Sequence, residues 1–259
     1  MLKTNASRTP ALARPTGKRS VGADHPISVV QANSLPALVQ RELERMILDG
    51  DLAAGAKLTE ASIAELLGVS RGPVREAFRA LEGSGLVRFE KNRGVSVRQI
   101  SVEEADQIYE LRAVLDEFVG RRLAQTATPA DILELRQKVE HMEKATSRND
   151  VDTYLAANLD FHDRLVELAN NPKLLSMYRR LVNELHLFRR TTLAQGGTLP
   201  ISTREHREIV DRIAARQSAA AGRALFDHVM ASRSRMHKTY DTPREAREPA
   251  SARGGRRSR

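Results

Sequence analysis

Residues 68–89 read GVSRGPVREAFRALEGSGLVRF, and this stretch predicts a helix with two different faces. Its apolar residues recur at the spacing of a buried helical face: Val74, Ala77, Phe78 and Leu81. Its arginines, spaced four residues apart, form a basic strip beside that face: Arg71, Arg75 and Arg79. We therefore expect a helix that packs one side into a core and leaves three unpaired guanidinium groups on the other.

The chain in front of this helix predicts a helix-turn-helix. An amphipathic pattern runs from about residue 35 to 49, and DGDLAAG ends it. A short second helix, ASIAELL, follows Thr59 as its cap and stops at Gly68. Ser70 can cap the arginine helix, and Pro73 is tolerated in its first turn. Two short helices separated by three residues have the spacing of that motif.

A β-hairpin is expected directly after the arginine helix. Residues 86–100 read LVRFEKNRGVSVRQI, in which two alternating runs flank a turn at residues 91–94. The turn carries Lys91 and Arg93, so its tip is basic. Helix, helix-turn-helix and hairpin together predict a winged helix-turn-helix domain over residues 34–100.

This arrangement predicts a DNA-binding surface. The second helix of a helix-turn-helix enters the major groove, where an arginine can hold guanine or a phosphate with two N–H groups. Arg71 and Arg75 are the expected base contacts, and Arg79 is expected nearer the backbone. The alternative is that Arg75 and Arg79 only pair with Glu76 or Glu82. The predicted DNA-binding set is Ser70, Arg71, Arg75, Arg79, Lys91, Arg93 and Gly94.

Composition sets the broad class of the protein. The chain has 259 residues, no cysteine and a formal net charge of +9. Residues 1–33 carry +4 and residues 241–259 carry +3, and both segments are poor in large apolar residues. We expect them to be disordered basic arms. Without an apolar run of about 18 residues or any cysteine, we expect a cytoplasmic protein with no membrane partner.

The remaining chain, residues 101–240, predicts an all-α helical bundle. Six amphipathic patterns lie near residues 101–126, 129–147, 150–170, 172–193, 202–217 and 218–238. Three of the predicted helix starts carry caps: Ser101 with Glu104, Thr128 before Pro129, and Ser202 with Glu205. The fold expected for the whole chain is therefore mainly α, a winged helix-turn-helix followed by a helical bundle.

Three histidines of the bundle fall on apolar helical faces. His162, His206 and His228 lie on three different predicted helices, and Asn158 lies one turn before His162. Inward imidazoles need partners, and two explanations remain open. They are three separately hydrogen-bonded core histidines, or ligands of one divalent metal such as Zn, Ni, Fe or Mn.

A buried arginine is expected in the first helix of the bundle. Arg112 lies on the same face as Ile108, Leu115 and Val119, and a buried guanidinium needs an anion. Asp116, four residues on, is the structural partner, and an organic acid in a cavity is the functional one. Both partners remain open, and Arg112 and Tyr109 are the candidate effector-binding residues.

The chain resembles the GntR family of bacterial transcription regulators. The resemblance rests on AGAKLTE, IAELLGVSRGPVREAFRALEGSGLV and RGVSV. It implies that Arg71 and Arg75 contact an operator and that Gly94 belongs to the wing. Ala61 departs from the family pattern, because some members place another DNA-binding arginine there.

The second half is similar to the FadR-type effector domain (FCD) of these regulators. It carries LRAVLDEFVGRRLA, NLDFHDRLVELANNPKL and EHREIVDRIAARQSAAAGRALFDHV. This similarity implies a divalent metal held by Asn158, His162, His206 and His228, with Asn158 where many members have Asp. It also implies dimerisation and a small carboxylate effector.

The expected function is a homodimeric DNA-binding transcription regulator and not an enzyme. Repression is the expected sign of regulation, and activation is the open alternative. Two alternatives belong to other classes. One is a metal-dependent enzyme domain fused to a DNA-binding domain. The other is an architectural DNA binder without an effector.

Overall fold

The computed structural model of the protein describes residues 34–90, 94–189 and 199–240. Both predicted basic arms and the hairpin tip with Lys91 and Arg93 lie outside these residues. The first part contains three helices and three short strands: α1 (Leu35–Leu48), β1 (Lys57–Leu58), α2 (Glu60–Leu67), α3 (Arg71–Gly83), β2 (Val87–Glu90) and β3 (Gly94–Val97). We call this part, residues 34–100, the head.

Local signals set the first helices of the head. The Thr59 hydroxyl accepts a hydrogen bond from the Ser62 amide at 3.0 Å, and α2 ends at Gly68 with φ of +65°. Ser70 occupies the N-cap position of α3, but its side chain makes no capping hydrogen bond. The predicted cap is therefore right in position and wrong in contact.

The three strands form one antiparallel sheet in the order β1-β3-β2. Val87 pairs with Val97 and Glu90 pairs with Gly94, as the predicted hairpin requires. β1 adds Leu58 opposite Val95. Sequence patterns did not predict β1, because two residues are too few to show alternation. The sheet and the apolar faces of α1, α2 and α3 enclose one core, which includes Leu43, Val74, Phe78, Leu81 and Leu86.

The second part, which we call the body, consists of helices within the described residues. They are α4 (Val102–Thr126), α5 (Pro129–Ser147), α6 (Val151–Leu168), α7 (Pro172–Arg189), α8 (Leu199–Ala214) and α9 (Ser218–Tyr240). The predicted capping box of Ser101 with Glu104 is present at the start of α4, and Thr128 before Pro129 caps α5 as predicted. None of the helices in the described ranges combines the length and apolarity needed to cross a membrane.

The predicted start of α8 is wrong. The helix begins at Leu199, three residues before the cap proposed at Ser202. Leu199 is buried in the core of the body, and Pro200 is tolerated in a first helical turn. Thr203 continues the turn by donating to the Leu199 carbonyl at 2.8 Å. Glu205 is therefore free for a tertiary contact rather than a capping box.

Helices α4 and α9 approach each other closely in the body. A Cβ at Gly120 would lie 2.6 Å from the Ala221 carbonyl oxygen, so this position requires glycine. The close approach holds the two helices in register. It places the buried polar residues of α4 beside His228 of α9, which is buried about two turns after Gly222.

Candidate functional site

The arginine strip lies on the surface of the head, as predicted. Arg71, Arg75 and Arg79 are all exposed on α3, beside the face that carries its buried residues. Ser70 is exposed at the N-terminus of the same helix, and Gly94 is exposed at the start of β3. The predicted contacts of the wing tip, Lys91 and Arg93, fall outside the described residues.

One guanidinium of the strip is paired, which corrects the expectation of three unpaired groups. Arg75 donates from Nε and Nη2 to the two carboxylate oxygens of Glu60, at 2.7 and 2.6 Å. Glu60 is the first residue of α2, and the hydrogen bond from Arg75 lowers the pKa of its carboxyl group. Sequence reasoning considered Glu76 and Glu82 as partners on the same helix and missed this contact between helices.

Three helices of the body bring their histidines to one point. His162 of α6, His206 of α8 and His228 of α9 are buried, with ligand nitrogens that all lie within 4.8 Å of one another. His162 Nε2 lies 3.2 Å from His228 Nε2 and 3.2 Å from His206 Nε2. The three rings therefore form one cluster in the core of the body.

Hydrogen bonds between the three rings cannot satisfy all of the ring nitrogens that meet at this point. A neutral ring nitrogen is either a donor or an acceptor, so His162 Nε2 can donate to only one of its two neighbours. Two nitrogens that each bind one ion at about 2.1 Å are about 3.0–3.4 Å apart, depending on the angle at the ion. The observed 3.2 Å falls in this range. Donor type and spacing therefore fit a divalent metal ion.

Two of the rings face carboxylates through Nδ1, on the edge away from the point where the Nε2 atoms meet. His228 Nδ1 is 2.7 Å from Glu205 Oε2, and His162 Nδ1 is 3.7 Å from Asp116 Oδ1. Burial lowers the pKa of His162 to about 3 and also lowers the pKa of His228. Both rings are therefore neutral near pH 7, which is the form that binds metals.

The predicted fourth ligand, Asn158, lies one turn before His162 on α6 and is buried. It also lines a cavity of about 450 Å³ that Leu48 of α1 and His186 of α7 border. Its role as a metal ligand stays a prediction.

Arg112 is buried beside the histidine cluster with a side chain only 1% exposed. Its Nη2 donates to the Tyr178 hydroxyl at 2.7 Å and lies 3.5 Å from Asp116 Oδ2. The Tyr178 hydroxyl is in turn 3.2 Å from both oxygens of Asp116. Nε and Nη1 of Arg112 have no hydrogen-bond partner in the described structure. Asp116 thus balances the charge but leaves N–H donors unsatisfied.

Tyr109, the other predicted effector residue, is buried one turn before Arg112. It belongs to a small apolar cluster that α4, α7 and α9 share. Burial alone would lower the pKa of the Arg112 guanidinium, but Tyr178, Asp116 and, to a smaller extent, the phenol of Tyr109 raise it. We call Arg112, Asp116, Tyr178 and the three histidines with Glu205 the buried polar cluster. Tyr109 lies beside this cluster, on its apolar side.

Comparisons with known proteins agree with these two regions. Residues 37–97 match the model described as bacterial regulatory proteins, gntR family, and residues 107–231 match the FCD domain. The chain belongs to the GntR family. The regulator thus combines a GntR helix-turn-helix head with an FCD body, which confirms the predicted family and fold class.

Individual relatives cover most of the regulator. The probable D-xylose utilization operon transcriptional repressor of Paenarthrobacter nicotinovorans is 34% identical over 188 residues, 71% of this chain and 81% of that protein. The uncharacterized HTH-type regulator YdhC of Bacillus subtilis (strain 168) is 28% identical over 188 residues, 72% and 84% of the two chains. The family and these relatives are transcriptional regulators and not enzymes, as predicted.

A solved structure has the same fold. The GntR transcriptional regulator from Rhodococcus sp. RHA1 superimposes with a TM-score of 0.68 at 28% identity. The match covers 80% of this regulator and 100% of that chain.

The head and body of the regulator meet at α7. Arg98, just after β3, donates to Glu184 at 2.7 Å, and the Asn183 side chain donates to the Ser84 carbonyl at 3.2 Å. Gly85 lies directly against Glu184 with φ of +77°. Because α7 also carries Tyr178, one helix contacts both the buried polar cluster and the head.

Two residues of the polar cluster escaped sequence reasoning. Glu205 was interpreted as part of a helix cap, and Tyr178 lies in a segment with apolar residues on most sides. A buried position on the helical wheel was the available signal for Tyr178. No local signal pointed to Glu205, because its partners lie on α9.

Proposed function

We propose that the regulator is a homodimeric repressor that acts in the cytoplasm, where bacterial operators are, under control of a divalent metal ion and a small organic acid. One feature carries this proposal: three histidine nitrogens converge beside a buried guanidinium with unsatisfied N–H groups. The relative from Paenarthrobacter nicotinovorans, which is named as a repressor, supports the sign of regulation.

The exposed arginines support sequence-specific DNA binding by the head. Arg71 and Arg75 lie in the first turns of α3, where a recognition helix meets base edges. Glu60 occupies one edge of the Arg75 guanidinium and leaves the other available for guanine. Arg79, Ser70, Gly94, Lys91 and Arg93 are proposed as contacts that fix the position of the head on the DNA.

The donor set of the body supports a metal ion. His162, His206 and His228 would hold it, with Asn158 as the proposed fourth ligand, and neutral imidazoles suit Zn, Ni, Fe or Mn. When bound, the ion supplies a positive charge and a coordination position for an oxygen ligand.

Arg112 supports an anionic effector. A buried guanidinium offers five N–H donors, and those on Nε and Nη1 have no acceptor among the residues that the structure describes. A carboxylate oxygen is a strong acceptor for such a charge-assisted hydrogen bond. We therefore assign the effector to the class of small organic acids, with Tyr109 on the apolar side of its site.

An exposed apolar stripe on α4 supports dimerisation. Leu111, Val114 and Phe118 are 58%, 61% and 44% exposed and recur at helical spacing. The same stripe on a second copy is a self-complementary partner, as a twofold interface requires. Val114→Asp should therefore give monomers in light scattering, whereas Leu133→Asp on α5 should leave the dimer intact. A dimeric Val114→Asp protein would place the interface elsewhere.

Helix α7 supports a route between the two sites. Tyr178 and Glu184 are six residues apart, or about 9 Å along the helix. An anion that draws Arg112 away from Tyr178 changes the contacts of α7 at that residue, while Glu184 holds the head six residues further along the same helix. An effector controls DNA binding only if it binds one arrangement more tightly than the other.

A crossed pair of variants tests the function. Arg75→Ala should lower the affinity for DNA from upstream of its own gene by about tenfold to a hundredfold and leave metal content unchanged. His206→Ala should lose the metal and the response to organic acids but still bind DNA without them. Gel shifts, metal analysis and thermal melts with a panel of organic acids measure these effects.

Two controls and three outcomes complete this test. Arg136→Ala and His141→Ala change exposed residues of the same types on α5. Equal DNA affinity for Arg75→Ala and the native protein would contradict the groove assignment. A native protein that binds no divalent metal would contradict the metal site. DNA binding that no organic acid alters would favour the architectural alternative.

A further inference from the structure

The carboxylate of Glu205 contacts the outer edge of one histidine in the cluster. Its Oε2 lies 2.7 Å from His228 Nδ1, whereas Nε2 of the same ring faces His162 at 3.2 Å. The two nitrogens lie on different edges of the imidazole. Glu205 therefore touches His228 on the side away from the point where the three rings converge.

This contact determines which nitrogen carries the proton. An ionised carboxylate only accepts hydrogen bonds, so His228 must donate from Nδ1. Glu205 is held as a carboxylate because the Arg235 guanidinium donates to both of its oxygens. A neutral His228 with its proton on Nδ1 has a bare lone pair on Nε2, directed toward His162.

Arg235 holds the carboxylate in place. It donates to Oε1 and Oε2 of Glu205 at 2.9 and 3.0 Å, and also to Ser232 at 2.9 Å. Arg235 lies on α9, seven residues or two turns after His228, so both side chains point from one face of α9 toward α8. The arginine side chain is 15% exposed, which leaves Glu205 little freedom to turn away.

We propose that Glu205 is a positioning residue that, held by Arg235, keeps the proton of His228 on Nδ1 and so presents Nε2 as a ready metal ligand. The metal itself belongs to the proposed function, but the position of the proton does not depend on it. Glu205 also precedes His206, so α8 supplies one ligand of the cluster and orients another.

The proton position can be measured in the full-length chain without metal. Long-range ¹H–¹⁵N NMR of the histidine rings should show His228 of the native protein with its proton on Nδ1. Glu205→Gln keeps the shape but has an amide that donates as well as accepts, so the Nε2–H form should appear. Glu143→Gln is the matched control, because Glu143 pairs with Arg207 of α8 on the surface.

Metal affinity gives the second readout. We expect Glu205→Gln to weaken Zn²⁺ binding by about 10- to 100-fold in chelator competition, the usual loss for such a partner. Glu143→Gln should bind Zn²⁺ as the native protein does. A purely structural ion pair would lower the melting temperature in both variants and leave the His228 proton on Nδ1.

Three results would overturn the inference. They are a native His228 protonated on Nε2, a Glu205→Gln protein in which His228 keeps its Nδ1 proton, and an unchanged Zn²⁺ affinity in that variant. The first needs no variant, so it decides the question even if Glu205→Gln fails to fold. A native protein that binds no Zn²⁺ refutes the metal site, and the NMR result still decides the role of Glu205.

Discussion

Two arginines of this regulator form ion pairs in opposite surroundings. Arg75 of the head holds Glu60 with two short hydrogen bonds while 55% of its side chain faces solvent. Arg112 of the body is 1% exposed, reaches Asp116 only at 3.5 Å, and keeps unsatisfied N–H groups. The exposed guanidinium can exchange partners with little cost in solvation, which suits a residue that must bind DNA. The buried one cannot, which suits a residue that must detect an anion.

The largest loss of stability is expected from removing the carboxylate of the buried pair. Asp116→Ala leaves the charge of Arg112 uncompensated in the core, and such a change costs about 3–5 kcal/mol of the free energy of unfolding. Urea denaturation followed by circular dichroism measures this loss. We expect the loss to be confined to the body, because the head has its own core.

The next residue on α4 provides the control. Glu117 pairs with Arg121 at the same four-residue spacing, but on the surface, where a pair contributes at most about 1 kcal/mol. Glu117→Ala should therefore have a small effect. If Asp116→Ala and Glu117→Ala were equally mild, Arg112 would not depend on Asp116 as its counter-ion, and water would have to solvate it.

Helix faces could be predicted from the sequence, and the partners across them could not. The periodicity around His162, His206 and His228 correctly placed all three rings inside the body. Their contacts with Glu205 and Asp116 depend on how α4, α6, α8 and α9 cross, which spacing along one helix does not encode. The same reason explains why Glu60 was missed as the partner of Arg75.

A smaller loss of stability is expected from a change at the junction between head and body. Gly85 adopts φ of +77°, and a Cβ there would lie 2.7 Å from Glu184 Oε1. Glu184 is 7% exposed and is held by Arg98 and Arg180, so it cannot move away easily. Gly85→Ala should lower the free energy of unfolding by about 1–2 kcal/mol because of the left-handed backbone. The lost contact between Glu184 and Arg98 should lower it further. Denaturation and effector-dependent gel shifts measure the two consequences.

Gly68 is the control that separates backbone strain from a steric clash of the added Cβ. It has φ of +65° and open space around its Cβ position, so Gly68→Ala suffers the backbone strain alone. We expect Gly85→Ala to be the less stable variant and to respond less to organic acids. An equal response in both variants would mean that the contact of Glu184 with the head does not couple the two regions.

Boundaries were predicted well where a side chain caps a helix and poorly where packing decides. Ser101 with Glu104 and Thr128 before Pro129 mark the starts of α4 and α5 as expected. α8 instead begins at Leu199, because that side chain enters the core. A capping pattern is local, whereas the position of a buried leucine depends on the whole fold.

The smallest effect distinguishes two hydroxyl groups within the head. Thr59 caps α2 with a 3.0 Å hydrogen bond, so Thr59→Ala should cost about 1 kcal/mol of stability and leave operator affinity nearly unchanged. Ser70 has no capping bond and is exposed beside Arg71, so Ser70→Ala should cost less stability and weaken DNA binding slightly. Paired urea denaturations and gel shifts compare them. If Ser70→Ala destabilises as much as Thr59→Ala, the Ser70 hydroxyl caps α3 in solution and competes with DNA for the same hydrogen bond.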